Sequence, residues 1–382
     1  MANGSDVVEM GYIDITNGSV VIYPDHYIQN NKTTRYSGKN FTITGTTTAN
    51  TVEIAGDKNN TYDINILDLS IQVNSIDKTG AFNISEGANV NLKLLGTNVL
   101  KSGNHCAGLQ KSSKDGTLTI DGTGSLTANG GMYSAGIGGG ETSASVASCT
   151  NIIINGGTIT AKGGSLGTGI GAGYFGSAIV DNIQINGGIV DLGRNGAAGI
   201  GTSRTGTSVS NIKITGGKVI ASSWGECPGI GGANLSDVEI SGGTMEISTG
   251  ISSTCPAIGV KNSTSTVKGI YIIGGNVYLH ADKGSVLIGT TSMAVAPTDK
   301  DDEEVLETIL TLSGVNSELS ITNIEFEDYS GTYGLKDMYT RSNGKVYLYL
   351  PSGAKVVSIT AGGSTYTTAT PITAGTTGTL TK

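Results

Sequence analysis

The sequence predicts an all-β fold, a right-handed parallel β-helix with three short strands in each coil. The first observation is a motif that returns roughly every 30 residues, which is typical of stacked solenoid coils. It reads apolar-x-apolar, a small polar residue, two glycines, a second apolar segment, a glycine-rich turn and Gly-Ile-Gly. Clear copies begin at Ile152, Ile183, Ile212, Val238 and Ile270.

The second observation is that residues alternate within each segment with a period of two. Apolar residues take every other place, which is the pattern of strands and not of helices. Aligned copies place the inward residues in three columns, and we expect each column to stack as an interior ladder. The first column holds Leu118 and Ile120, Ile152 and Ile154, Ile183 and Ile185, Ile212 and Ile214, Val238 and Ile240, and Ile270 and Ile272. The second holds Leu126, Ile159, Val190, Val219, Met245 and Val277, and the third holds Ile137, Ile170, Ile200, Ile230, Ile258 and Ile288.

The third observation is that small residues recur at fixed places between the inward ones. Glycine precedes the isoleucine of the third strand in four coils, at Gly136, Gly169, Gly199 and Gly229. We expect this face to be nearly bare backbone, either because the corner is tight or because another backbone or a ligand approaches closely. Small polar residues before the paired glycines are predicted to hydrogen-bond along the helix axis. They are Asp121, Asn155, Asn186, Thr215 and Ser241.

Weaker copies of the motif extend the array in both directions. They begin at Tyr12, Phe41, Ile64 and Asn91, with a last one at Leu310. The array therefore predicts about eleven coils in a rod on the order of 50 Å long. We predict a parallel β-helix over residues 1–325 and a small antiparallel β cap over residues 326–382, which would cover an otherwise open edge.

Composition and charge exclude several classes of protein. The 60 glycines among 382 residues follow no Gly-x-y period, which excludes a collagen-like chain. A net charge of −8 without clusters of basic residues disfavours nucleic acid, and it disfavours polyanionic glycans unless a cation bridges. No stretch approaches the roughly 18 apolar residues of a membrane span, so we expect no membrane insertion.

One acidic run is a candidate for metal binding. Asp299, Asp301, Asp302, Glu303 and Glu304 lie within six residues of sequence. The simplest interpretation is a solvated loop, and the alternative is a site for a hard cation such as Ca²⁺. We expect no other cofactor.

The cysteines and the carboxylates do not indicate catalysis. Cys227 and Cys255 occupy the same place in adjacent coils, where a disulfide and a pair of reduced thiols are both compatible with the spacing. A catalytic cysteine is disfavoured because the chain has only three histidines, and His105 adjoins Cys106 on a strand, where neighbours point to opposite sides. Outward carboxylates are scattered, whereas glycoside hydrolysis needs a close pair. We therefore expect no enzymatic activity.

Aromatic side chains recur in the glycine-rich corner turns. Tyr133 and Trp224 follow the second strand of their coils, and Tyr174 and Phe175 follow a third strand. Flat apolar rings on a surface suit the apolar face of a sugar, so these four residues are the candidate ligand-binding residues. The alternative interpretation is that they fold back and cover the coil.

Three segments carry a resemblance to a family. They are SEGANVNLKLLGTNVLKSG from Ser85, the repeated Gly-Gly, strand and Gly-Ile-Gly units, and YGLKDMYTRSNGKVYLYLPSGA from Tyr333. The chain resembles the glycine-rich right-handed β-helix repeat proteins of bacterial surfaces, some of which bind carbohydrate and have a pectate-lyase-like architecture. The resemblance implies an extracellular or cell-surface location and transfers no catalytic residues. The first residues of the chain lack the basic and apolar regions of a secretory leader.

These observations predict a non-catalytic cell-surface β-helix that binds carbohydrate or acts as an adhesin. Its expected partner is a polysaccharide or a glycan of a host or bacterial surface. The first alternative is a structural stalk or a segment of a phage tail fibre that binds no glycan. The second is a polysaccharide lyase or glycoside hydrolase.

Overall fold

The structure of the protein is a computed structural model. It describes residues 11–38, 40–74, 76, 78–85, 87–111, 113–141, 147–203, 206–224, 226–250, 254–282, 285–327 and 329–382. Nearly all of its regular structure is β-strand, and most strands stack in parallel as a β-solenoid. The predicted all-β parallel β-helix is therefore confirmed.

Three strand stacks form the three sides of the solenoid. The first side contains β1 (Gly11–Asp14), β5 (Asn40–Thr47), β7 (Thr61–Gln72), β9 (Asn89–Leu95), β12 (Leu118–Gly122), β15 (Cys149–Ile154), β18 (Ile179–Ile185), β21 (Ser208–Ile214), β24 (Leu235–Ser248) and β26 (Val267–His280). The second side contains β10 (Thr97–Lys101), β13 (Ser125–Asn129), β16 (Thr158–Lys162), β19 (Ile189–Asn195) and β22 (Lys218–Ser223). The long strands β5, β7, β24 and β26 turn the corner and join both sides into one 15-stranded sheet.

The third side is a separate sheet with very short strands. It contains β2 (Val20–Ile22), β6 (Val52–Ala55), β8 (Phe82–Ser85), β11 (Leu109–Lys111), β14 (Ile137–Gly138), β17 (Ile170–Gly171), β20 (Ile200–Gly201), β23 (Ile230–Gly232), β25 (Ile258–Val260) and β27 (Ile288–Gly289). Coils are numbered here by these strands, from β2 in the first coil to β27 in the tenth. From the first to the last of these ten strands the chain makes about nine turns, fewer than the roughly eleven coils predicted.

The predicted eleventh coil lies in the C-terminal part of the chain, which forms separate sheets. This part contains β28 (Val305–Leu312), β29 (Ile321–Glu327), β30 (Lys345–Pro351), β31 (Lys355–Ala361), β32 (Ser364–Thr373) and β33 (Thr377–Leu380). The segment read as a last coil from Leu310 instead lies in β28, which pairs with β30 and β33. Strand β29 pairs with β31, so the sheets of the C-terminal region begin at Val305 and not at Phe326. All these pairs are antiparallel except β28 with β33.

The predicted interior ladders are present. In the third side, Ile137, Ile170, Ile200, Ile230, Ile258 and Ile288 are paired in register from coil to coil. The first and second columns stack in the same way, and every member of the three ladders is buried. One continuous apolar core therefore runs along the axis, and each coil adds to it at roughly 25 cal/mol per Å² of buried apolar area.

Both ends of the solenoid are covered. At the N-terminal end, β3 (His26–Gln29) and β4 (Lys32–Arg35) form a hairpin that pairs with β2, and a 3-10 turn (Ile15–Asn17) follows β1. At the C-terminal end, Thr298 exchanges two backbone hydrogen bonds with Ile270 and Ile272 of β26. The Val295 amide bonds to the Ile288 carbonyl in the same way. These contacts satisfy edge groups that would otherwise template aggregation.

The C-terminal region is held along the corner of the paired glycines. The second glycine of each pair donates its amide to this region: Gly217 to Asp337 Oδ2 at 2.9 Å, Gly243 to the Lys336 carbonyl at 2.6 Å, and Gly275 to the Gly334 carbonyl at 2.8 Å. Other contacts continue onto the second side, where Arg341 bonds to Glu246 and lies 4.4 Å from the ring centre of Tyr278.

Close contacts with backbone atoms and a left-handed backbone conformation explain why glycine stands at these positions. A Cβ at Gly187 would lie 2.6 Å from the Asn155 carbonyl of the preceding coil, and Gly188 has a φ of +83°, which side-chain-bearing residues rarely adopt. A Cβ at Gly136 would lie 2.5 Å from the Lys162 amide nitrogen. Gly136 is itself buried. The close approach of another backbone therefore explains Gly136, and the expected bare outer face is not found at this position.

A lysine is buried at the end of one third strand. Lys111 in β11 is 1% exposed, and its ammonium donates to the carbonyls of Ser113 at 2.7 Å and Asp115 at 2.8 Å. Burial lowers the pKa of Lys111 to about 8. Burial also raises the pKa of the Cys149 thiol to about 12, because desolvation disfavours the charged form of each group.

Replacing Gly136 by alanine should destabilise the solenoid by about 1–3 kcal/mol, since the clash is with backbone and not with a flexible side chain. Gly80→Ala is the control, because a Cβ at Gly80 would lie 3.8 Å from Cys106 Cβ, which is an ordinary van der Waals distance. We expect the control to change the free energy of unfolding by less than about 0.5 kcal/mol. Urea titrations followed by circular dichroism measure both. Equal effects of the two substitutions would contradict the crowding at Gly136.

The stability contribution of Lys111 should depend on pH. Its pKa is about 8 in the folded chain and 10.5 ordinarily, so the unfolded chain binds more protons between these values. The free energy of unfolding linked to Lys111 therefore rises with pH across that window. The free energy of unfolding of the wild type, relative to that of Lys111→Met, should rise from pH 7 to pH 10, as measured by urea unfolding. Lys32→Met, at an exposed position, should show no such trend.

Candidate functional site

The candidate site lies on the corner between the second and third sides. The turns at this corner stack through backbone hydrogen bonds, from His105 N to Met132 O at 3.0 Å and from Tyr133 N to Ser165 O at 2.9 Å. His105 and Tyr133 have φ values of +66° and +70°, and Leu166 in the next coil has +62°. Non-glycine residues in this conformation are uncommon, and strained backbone concentrates at functional sites.

Three rings form a ladder along this corner. The ring centres of His105 and Tyr133 are 5.7 Å apart, and those of Tyr133 and Tyr174 are 5.6 Å apart, with interplanar angles of 44° and 35°. Tyr174 comes from the turn after β17, and its amide donates to the Tyr133 carbonyl at 2.7 Å. The turns before and after the short third strand thus meet, and rings from coils four, five and six lie side by side.

A carboxylate completes the group. Glu141 follows β14, and its side chain forms an ion-pair contact with Nδ1 of His105. The Glu141 amide also donates to the His105 carbonyl at 3.0 Å, which positions both residues. The two side chains are 20% and 25% exposed, so the pair is partly shielded but reachable. We call His105, Tyr133, Glu141 and Tyr174 the ring cluster.

The structure brings together two of the four predicted ligand-binding residues. Tyr133 and Tyr174 lie in the ring cluster. Phe175 is only partly exposed and packs against the apolar core, as the covering interpretation expected. Trp224 lies on the same corner in coil eight, away from the cluster, and is 62% exposed.

Sequence reasoning missed His105 and Glu141. A signal for His105 was present, because it stands four residues before Leu109 of the third strand, as Tyr133 does before Ile137. Glu141 had no such signal. Its partner is 36 residues away in sequence, and only the stacking of coils brings the two together.

The arrangement suits binding more than bond cleavage. The rings offer flat apolar surface, and the carboxylate beside them offers hydrogen-bond acceptors. The ring cluster contains one carboxylate, whereas the usual glycosidase mechanism needs two at about 5–9.5 Å. The site can therefore hold a ligand that presents an apolar face and hydroxyl donors.

The acidic run does not form a cation cage among the residues described. Asp299 Oδ1 accepts the amides of Asp301 at 2.9 Å and Glu303 at 3.0 Å, so this carboxylate closes its own loop. Within the described ranges, no group of three or more His, Cys, Asp and Glu residues could hold a metal ion. The five candidate ligands are placed in this loop, and the structure assigns them no metal.

The first side carries a polar cleft of about 470 Å³ that the sequence did not predict. One residue per coil there adopts a left-handed conformation, and the side chains of the four that are not glycine line the cleft as a column. Side chains of this column bond to the preceding coil, as Asn182 Nδ2 does to Asn151 Oδ1 at 2.8 Å and Asn211 Nδ2 does to Asp181 Oδ1 at 2.7 Å. This column is an internal ladder that stabilises the stack. The left-handed residues are Asn151, Asn182, Asn211, Asp237 and Gly269.

A second polar ladder was predicted at the glycine corner and is present in part. Asn186 Nδ2 donates to Asn155 Oδ1 at 2.9 Å, and Thr215 Oγ1 donates to Asn186 Oδ1 at 2.9 Å. Both ladders give inter-coil hydrogen bonds outside the backbone.

Comparisons of the chain with protein-family models, with curated proteins and with solved structures found no match. Within the described part of the chain, no helix is long and apolar enough to cross a membrane. The fold and the ring cluster are therefore the observations on which function has to be argued.

All four cysteines are buried thiols, and Cys227 and Cys255 stand three residues before the paired Ile230 and Ile258. We expect a thiol reagent to leave at least Cys149 unmodified in the native protein, because burial disfavours its thiolate. After unfolding in guanidinium without reductant, four thiols per chain should react. A count of two would show that Cys227 and Cys255 are joined as a disulfide.

Proposed function

We propose that this β-helix is a non-catalytic carbohydrate-binding protein of the bacterial cell surface, and that the ring cluster is its binding site. The observation that carries the proposal is the ladder of His105, Tyr133 and Tyr174, with Glu141 at its side. Three rings from three coils lie in a row, tilted by 44° and 35° to one another, and offer aromatic faces of a kind that polar sheet faces lack.

The chemistry of the cluster matches a sugar. A pyranose has one face of C–H groups, which packs on an aromatic ring, and hydroxyls at its edge, which need acceptors. Glu141 supplies acceptor oxygens next to the rings and is fixed by His105. Stiff aromatic side chains lose little conformational entropy on binding, and this favours affinity from a small contact area.

Charge restricts the class of glycan. The chain carries a net charge of −8, and the ring cluster includes a carboxylate. Anionic glycans would be repelled unless a cation bridged them, so the proposed ligand is neutral. The resemblance to surface β-helix proteins supports a carbohydrate ligand and an extracellular location.

The structural stalk is the main rival. A stalk needs stacked coils and covered ends, both of which are present, but it does not need strained aromatic residues at a surface corner. Catalysis is the weaker rival, because the ring cluster has a single carboxylate. We therefore propose no enzymatic activity and no cofactor.

A pull-down on insoluble cellulose, xylan, mannan, chitin and β-1,3-glucan tests the proposal. We expect retention on at least one polymer, equal with Ca²⁺ and with a chelator, and no release of reducing or unsaturated sugars. Tyr133→Ala and Tyr174→Ala should each weaken binding about tenfold or more. Tyr133→Phe, which keeps the ring, should retain most of the affinity.

Tyr12→Ala is the control, because Tyr12 is an aromatic residue on β1 that is 67% exposed and lies away from the corner. It should bind like the wild type. Retention that survives both Tyr133→Ala and Tyr174→Ala would move the site elsewhere. Release of sugars would contradict the non-catalytic proposal, and no retention on any polymer would favour the stalk.

A further inference from the structure

We infer that the ring cluster and Trp224 are two subsites of one surface, which binds a linear neutral polysaccharide lying parallel to the helix axis. This inference rests on the carbohydrate-binding function proposed above. It adds the direction of the bound chain, a second contact and a minimum ligand length.

Trp224 belongs to the same line of turns as the ring cluster. Its amide donates to the Asn195 carbonyl of coil seven at 2.7 Å, and the Ala197 amide of that coil donates to the Gly167 carbonyl of coil six at 3.0 Å. These bonds continue the stack that joins His105 to Met132 and Tyr133 to Ser165. The corner is thus one continuous edge from coil four to coil eight.

The separation of the two subsites suits a polymer. Coils repeat at about 4.8 Å, so Trp224 lies about 10 Å along the axis from the coil of Tyr174 and about 14 Å from that of Tyr133. A single sugar ring cannot contact both places. A chain of several sugar units along the edge can contact both.

The corner between the two subsites carries little side-chain bulk. Gly196 lies there in coil seven, and a Cβ on it would be 2.5 Å from the Leu166 amide nitrogen. Because Gly196 has no side chain, the turn of coil seven can pack closely on the turn of coil six. Leu166 adds apolar surface beside the ring cluster, and its left-handed conformation matches that of Tyr133.

A carboxylate also lies near each of the two subsites in the chain or in the fold. Glu141 stands beside the ring cluster, and Glu226 lies two residues after Trp224, where it pairs with Lys261. A neutral chain with repeated apolar faces and hydroxyl edges fits both subsites, whereas a repeated anionic chain would meet a carboxylate at each.

Two subsites on one chain give a length-dependent affinity. Once the first part of a polysaccharide is bound, its distal part is held near the second subsite at high effective concentration. Short oligosaccharides that reach one subsite gain nothing from the other. The affinity should therefore rise steeply once the chain spans the edge.

Calorimetry with cello-, xylo-, manno-, chito- and laminari-oligosaccharides of two to eight units tests this inference. For a series that binds, we expect wild-type affinity to rise about tenfold or more between the shortest and the longest members. Trp224→Ala should abolish that rise, so that the longest member binds no more tightly than the shortest binding member. Tyr12→Ala should reproduce the wild-type length dependence.

The outcomes separate the two proposals. If no series binds the wild-type protein at any length, the carbohydrate-binding function itself fails. If binding occurs and is lost in Tyr133→Ala but is independent of length, or if Trp224→Ala keeps the full length dependence, the two-subsite inference is overturned and the function stands. Circular dichroism of each variant shows that the solenoid is intact.

Discussion

Inter-coil backbone hydrogen bonding is the constraint on which the rest of the structure depends. Each third strand contributes only two to four residues to its sheet, so neighbouring coils must approach with little deviation for the ladder to continue. The paired glycines and the glycine before the third-strand isoleucine in four coils follow from this closeness. At Gly136 and Gly187, the place of a side chain is already taken by backbone atoms of a neighbouring strand or coil. The stacked isoleucines then belong to one continuous apolar core.

The same constraint determines what the surface can present. Turns that are tied to one another by hydrogen bonds repeat at the coil spacing, so side chains at equivalent places form rows along the axis. On the first side the row consists of amides and carboxylates that mainly bond to each other, which makes it a structural ladder. At the corner before the third side the row contains aromatic rings, whose faces do not take part in hydrogen bonds of that kind. This difference is why the proposed binding site lies at the corner.

The C-terminal region shows a third use of the repeat. Amides of the second glycines at Gly217, Gly243 and Gly275 lie in a row, and acceptors from residues 334–337 are aligned with them. One edge of the regular solenoid thus binds an irregular segment of the same chain through hydrogen bonds. The ion pair of Arg341 with Glu246 adds a side-chain contact at the margin of this interface.

Periodicity in the sequence was sufficient to predict the fold class, the three interior ladders and the corner positions of Tyr133, Tyr174 and Trp224. Those features depend on local alternation and on the repeat length, both of which are written in one strand or one coil. The coil count, the start of the C-terminal sheets at Val305 and the pairing of His105 with Glu141 required the tertiary structure. The reason is physical: β28 has the same alternation whether it pairs with a coil or with β30, and the turns of His105 and Glu141 meet only after their two neighbouring coils have stacked.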